Sequence, residues 1–258
     1  MKNKIIEKAI LTIAILLCYS SCEKLVEVEL PINQITTSQV FESTSTADGA
    51  LSALYAEMQS FSVIAGGSTG AGGLLGSYVD DLDGYDVYSN NASMDLFNNI
   101  QNASNTTVKL VWGNGYRQIY MANAIVEGLD KSSGIPEKDK NRIKGEAIFM
   151  RSLVYYYLTE IFGDIPYTTS TDYSINQSLS KISTTEILQN ISQDLSTISP
   201  FLETDYRNAE RIYVNRKTVN LLSAIVYARL KQWNLAEDLL SGIILTIVQF
   251  STGSFKNL

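Results

Sequence analysis

The chain has 258 residues, 45% of them apolar and 18% charged, with a net charge of −7, an ordinary globular composition rather than that of a disordered or fibrous chain. It holds no histidine and only two cysteines, Cys18 and Cys22, which excludes Ser-His-Asp and Cys-His triads, histidine-ligated zinc or haem, and cysteine-rich iron–sulfur sites. The acidic balance argues against a duplex nucleic-acid partner, which needs a basic face to displace counterions.

Residues 1–21 read as a lipoprotein signal peptide. Lys2, Lys4 and Lys8 precede an apolar run from Ala9 to Cys18, and small residues lead to Cys22. A basic start, a short apolar core and a small-residue cut site define a secretory address. The core is too short for a membrane span, which needs about 20 apolar residues. Ser20-Ser21-Cys22 resembles the bacterial lipobox, with Tyr19 where that motif has an aliphatic residue. By that resemblance Cys22 becomes the lipidated first residue of the mature chain, and several acyl chains make a stable anchor. Glu23, rather than Asp, follows it, which favours the outer membrane, lipid-anchored and surface-exposed. The alternative is an ordinary cleaved signal that leaves Cys22 as a free thiol. Residues 22–45 are the lipidated N-terminus and tether, in which Leu25–Leu30 alternates apolar and charged positions until Pro31 ends the run.

Residues 46–258 form the folded domain, and the pattern there is all-α. A helix is predicted from Thr46 to Phe61, with Ala50, Leu51, Leu54, Tyr55 and Met58 on one face. From Val111 the helical period returns, with Ile119, Ala122, Ile125 and Leu129 three or four apart. Pro136 marks the next helix start, where a missing N–H costs nothing. Ile143, Ala147, Met150, Val154, Leu158 and Ile161 give its face, and Gly163 with Pro166 gives its stop. Ser183-Thr-Thr-Glu186 is a capping-box pattern, ahead of Ile187, Ile191, Leu195, Ile198 and Leu202. Two last helices are predicted over 216–231 and 234–248. Ala224, Tyr227, Ala236 and Leu240 around Gln232-Trp233-Asn234 resemble a tetratricopeptide helix pair, whose small residues allow close approach.

Residues 62–109 read as long irregular loops, and a loop of that length is commonly functional. Gly66-Gly-Ser68-Thr-Gly70 matches the G-x-S-x-G elbow, but no histidine exists to take the Ser68 proton. Gly67 and Gly72 have P-loop spacing, yet Gly73 stands where the phosphate-binding lysine belongs. Asp80-Asp81-Leu82-Asp83-Gly84 is not an EF-hand, because Val79 and Asn90 fall at its first and last ligand positions. A looser oxygen-ligand ion site from Asp80, Asp81, Asp83 and Asp86 stays open, but no metal or cofactor is expected. What the segment does offer is a saccharide-type surface. Tyr78, Tyr85, Tyr88 and Phe97 supply ring faces; Asp80, Asp81, Asp83, Asn90 and Asn91 supply hydroxyl partners. The competing reading packs these tyrosines into the core.

Three stretches together resemble the SusD/RagB family of nutrient-binding outer-membrane lipoproteins. They are Phe41–Gln59 with Ala47-Asp-Gly-Ala-Leu-Ser-Ala-Leu-Tyr55, Trp112-Gly-Asn-Gly-Tyr-Arg-Gln-Ile-Tyr-Met-Ala-Asn123, and Gly145-Glu-Ala-Ile-Phe-Met-Arg-Ser-Leu-Val-Tyr through Gly163-Asp-Ile-Pro166. The last is similar to the family's most specific run, with Ser152 in place of its usual alanine. The resemblance implies a helical fold with tetratricopeptide-like pairs, an oligosaccharide or peptide ligand, no catalysis, and a TonB-dependent transporter as partner. The alternatives are a non-catalytic scaffold that only docks the transporter, and a peptide-binding RagB-like protein. Carboxylate pairs could serve glycosidase chemistry, but no spacing singles one out. Family members continue well beyond this length, so the chain is expected to be an N-terminal portion. Its tail, Ile243–Phe250, reads as an uncharged β-prone run that needs a packing partner.

Overall fold

The computed structural model describes residues 37–66, 70–82, 92–100 and 102–254. The signal peptide, Cys22 and the tether up to Thr36 lie outside them, as do Ser68, Asp83 and Tyr85–Asn91. Helix α1 (Thr37–Val40) leads into α2 (Thr44–Phe61). The Ser43 hydroxyl accepts the Thr46 amide at 3.3 Å and starts α2, since a side-chain oxygen there satisfies a donor the helix cannot. Ala47, Leu51, Leu54 and Met58 then bury one face.

Two short helices follow, α3 (Ala71–Tyr78) and α4 (Ala92–Phe97). Both fall in the stretch expected to be loop. Helix α5 (Thr106–Lys131) also starts earlier than its apolar period suggests. The reason is Asn105, whose side-chain oxygen accepts the amides of Thr107 at 2.9 Å and Val108 at 3.1 Å. Its amide nitrogen donates to the Ala92 carbonyl at 2.7 Å, tying α4 to the start of α5.

Helix α6 (Glu137–Phe162) begins after Pro136 and ends at Gly163, where φ is +74°. Glycine carries that left-handed conformation without a Cβ clash. Beyond it, β1 (Ile165–Pro166) pairs antiparallel with β2 (Lys181–Ile182), and α7 (Tyr173–Asn176) lies between them. Ser183 then caps α8 (Thr184–Ile198) by accepting the Glu186 amide at 3.2 Å. A 3-10 turn (Ser199–Phe201), α9 (Arg216–Arg229) and α10 (Trp233–Ser254) complete the described chain. The β-prone tail is helical here: Ile243–Phe250 continues α10. A helix already nucleated by packing adds each further residue cheaply, at a few tenths of a kcal/mol for β-branched ones.

The fold is a stack. Helices α5 and α6 pack on each other, α2 lies across both, α8 packs on α6, α9 on α8 and α10 on α9. Ile119, Leu129, Ile143, Leu158, Ile187, Ile191, Leu195 and Ile198 are buried to 1% exposure or less. Burying each such side chain is worth roughly 1.5–3 kcal/mol, so packing rather than intrinsic propensity holds these helices. Ala224 and Ala236 are buried on α9 and α10, which pack on each other, while Leu240 of the expected tetratricopeptide-like set is exposed.

One polar cluster interrupts this apolar stack. Glu146, 1% exposed, accepts the Tyr55 hydroxyl at 2.6 Å, Arg207 at 3.2 Å and Arg142 at 3.4 Å. Arg142 also forms a two-pronged pair with Asp48, both bonds at 2.9 Å. The Val214 amide donates to the Tyr55 oxygen at 2.9 Å. Glu146 thereby joins α2, α6 and the segment entering α9.

Candidate functional site

Four of the residues expected on the saccharide surface are described: Tyr78, Asp80, Asp81 and Phe97. Tyr78 ends α3 and is half-buried. It lines an apolar cavity of about 420 Å³ together with Leu74, Leu96, Val111, Ile161 and Phe162. Asp80 and Asp81 occupy the exposed turn that closes α3. Asp80 takes a left-handed φ of +62°, and the Asp81 and Leu82 amides return to the Gly76 carbonyl at 2.9 and 3.1 Å. Asp83, Tyr85, Tyr88, Asn90 and Asn91 lie outside the described residues, so Tyr78, the two aspartates and Phe97 are the described part of the expected surface.

Phe97 is half-buried at the end of α4. Among the described residues, no three or more acids and cysteines are placed to hold a metal ion.

The cavity wall belongs to a continuous aromatic ridge. Phe162 meets Trp112 edge-on, with centroids 5.2 Å apart. Trp112 tilts against Tyr116 at 4.9 Å, Tyr116 meets Tyr155 edge-on at 6.5 Å, and Tyr155 lies 4.4 Å from Tyr167. Burial pushes the Tyr155 hydroxyl up to about 12, even though it is hydrogen-bonded to Thr168 and faces Arg151. Burial likewise raises Tyr116 and Tyr167. These phenols therefore stay protonated and act as hydrogen-bond donors and apolar walls, not as bases. Sequence reasoning gave Phe162, Leu96 and Trp112 no part in a site. The signal for Phe162 was its neighbour Ile161, which continues the inward period of α6 to its last turn.

The stacked architecture, helical but for one two-stranded ladder, defines an all-α protein. The chain belongs to the SusD-like family described as starch-binding and associating with the outer membrane, whose model matches residues 44–229. It is similar to SusD-like protein P25 of Formosa agariphila, 24% identical over 240 residues, covering 88% of this chain and 44% of that one. It is also similar to SusD-like protein P2 of the same organism, 27% identical over 195 residues, covering 74% of this chain and 37% of that one. The chain thus spans less than half the length of these relatives. Among solved structures, a SusD-like carbohydrate-binding protein from Bacteroides fragilis shares the fold with a TM-score of 0.65 at 18% identity, over 80% of this chain and 41% of that one. A laminarin-binding SusD-like protein gives a TM-score of 0.67 at 19% identity, over 77% and 43% of the two chains.

Proposed function

We propose that this chain is part of an outer-membrane surface lipoprotein that binds a nutrient oligosaccharide and hands it to a TonB-dependent transporter. The match to the starch-binding family over residues 44–229 carries this reading. Two structural neighbours named for carbohydrate and laminarin binding support it. So does the N-terminal address, in which Cys22 takes the lipid. The ligand surface is the segment from Tyr78 through Asn91, which includes the turn at Asp80 and Asp81. Tyr78, Tyr85 and Tyr88 stack on sugar rings, while Asp80, Asp81, Asp83, Asn90 and Asn91 take the hydroxyls. The role is binding without catalysis, a reading that the match to a starch-binding family supports.

Affinity electrophoresis tests the binding step. Gels cast with individual glycans should retard the full chain on at least one of them, and Tyr78→Ala should reduce that retardation. Equal migration on all glycans, with retention on immobilised oligopeptides, would instead support the peptide-binding reading. Radiolabelled palmitate should enter the wild-type chain and not Cys22→Ala; label in both contradicts the anchor.

A further inference from the structure

A second cleft, of about 310 Å³, is lined by Trp112 but not by Phe162. One wall is a stripe on α5: Trp112, Tyr116 and Tyr120, four residues apart and so on one helix face. Asn123 continues that wall, and Thr168 and Asn176 stand opposite. Among the described residues, no carboxylate, guanidinium or ammonium lines the cleft, although the chain carries a net charge of −7. An anionic ligand would find no cation here, and a cationic one no carboxylate.

The walls are fixed by bonds that do not need a ligand. Tyr116 donates to the Pro166 carbonyl at 2.7 Å. The Tyr155 hydroxyl donates to the Thr168 carbonyl at 3.0 Å and accepts the Thr168 amide at 2.8 Å. Thr168 Oγ1 donates to Asn176 Oδ1 at 2.7 Å. Asn123, fully buried, donates to the Thr168 carbonyl at 3.3 Å and accepts Arg151 at 2.8 Å; Arg151 is itself paired with Asp194 at 2.6 Å. Glu127 takes the Thr171 amide at 2.8 Å and its hydroxyl at 2.6 Å, clipping the opposite wall to α5.

What remains unspent faces the opening. Tyr120 is 53% exposed, and its ring touches no other described ring. Its hydroxyl can both donate and accept, and Asn176, whose amide nitrogen also donates to the Ser170 carbonyl at 2.9 Å, keeps one N–H and one lone pair. An exposed ring beside spare neutral hydrogen-bonding groups, on walls already rigid, suits a ligand with apolar faces and hydroxyl edges.

We infer that this cleft is a second saccharide site, seating a ring of a neutral glycan on Tyr120 and Trp112, separate from the Tyr78 segment. The choice of ligand class rests on the glycan reading above; the location does not. Affinity electrophoresis of the full chain on neutral and anionic glycans separates the two claims, with Tyr78→Ala, Tyr120→Ala and Tyr120→Phe run beside it. Tyr120 is half-exposed, so its replacement should leave the melting temperature near wild type. Tyr120→Ala should weaken a neutral-glycan interaction roughly fivefold or more, the loss of one stacked ring. Tyr120→Phe should retain most of the affinity.

Wild-type affinity in Tyr120→Ala, with Tyr78→Ala impaired, overturns this inference and leaves the glycan reading standing. Failure of the wild-type chain to bind any glycan overturns both. A lowered melting temperature with unchanged affinity also overturns the inference and marks the cleft as a protein-covered surface. Preference for anionic glycans, lost in Tyr120→Ala, contradicts its neutral character.

Discussion

Single carboxylates set two opposite pH responses in this molecule. Burial holds the Glu146 carboxyl above its ordinary range, despite the Tyr55 hydroxyl and the Arg207 and Arg142 guanidiniums around it. A raised acid binds its proton more tightly folded than unfolded, so its contribution to stability falls as pH rises from the ordinary carboxylate value toward the folded one. Glu146→Gln should flatten that part of a stability-against-pH curve measured by urea unfolding. Glu146→Ala removes the carboxylate that Arg207 and the Tyr55 hydroxyl donate to, while Arg142 keeps Asp48, and should cost about 3 kcal/mol, read as a lower urea midpoint at unchanged slope. Glu127 behaves in the other sense. Burial works against its ionisation, but the hydrogen bonds from Thr171 outweigh it and hold the carboxyl below its ordinary range. Its contribution is complete above the unfolded value and is lost as pH falls through the folded one. Below that range the 168–176 wall should become more sensitive to limited proteolysis, and Glu127→Gln should show that sensitivity already at neutral pH. Neither role was legible in the chain. Glu146 stood out as part of a motif, but Tyr55 and Arg207 lie 91 and 61 residues away, and no local pattern brings them together.

At the scale of elements, the long helices were legible because their buried faces repeat: Ile187, Ile191, Leu195 and Ile198 are all fully buried on α8. The short ones were not. Helix α3 has three glycines in eight residues and no side-chain cap, so propensity reads it as loop. Asn105 was read as part of a polar loop because a cap and a loop share one composition; the difference is the two amides it accepts. The tail was read as β-prone from its Ile and Val content, whereas continuity with α10 decides its state. Close helix approach gives a sharper test. A Cβ on Gly128 of α5 would overlap the Phe41 ring, and Phe41 is buried at 6% exposure. Gly128→Ala should therefore destabilise by about 1–3 kcal/mol, the range for overpacking, although alanine normally favours a helix. Thermal unfolding checks it; a stabilised variant would show that α1 and the chain before α2 yield freely.

At the scale of the whole molecule, the described chain is a helical stack with two cavities lined by aromatic side chains. No described helix is long and apolar enough to cross a membrane. The stack was legible from helical period and from the family's motif. The site was legible only in part: Tyr78 was singled out, while Trp112 and Tyr120 were hidden inside a helix whose period reads equally well as core. Rings in a stripe do not declare whether they face protein or solvent until the 163–182 segment is seen to fold back against them. The central claim is that this surface binds sugar. Calorimetric titration of neutral oligosaccharides and of oligopeptides into the full chain tests it most directly. The account expects saturable heat with at least one oligosaccharide and none with the peptides; saturation by peptide with no response to any sugar would contradict it.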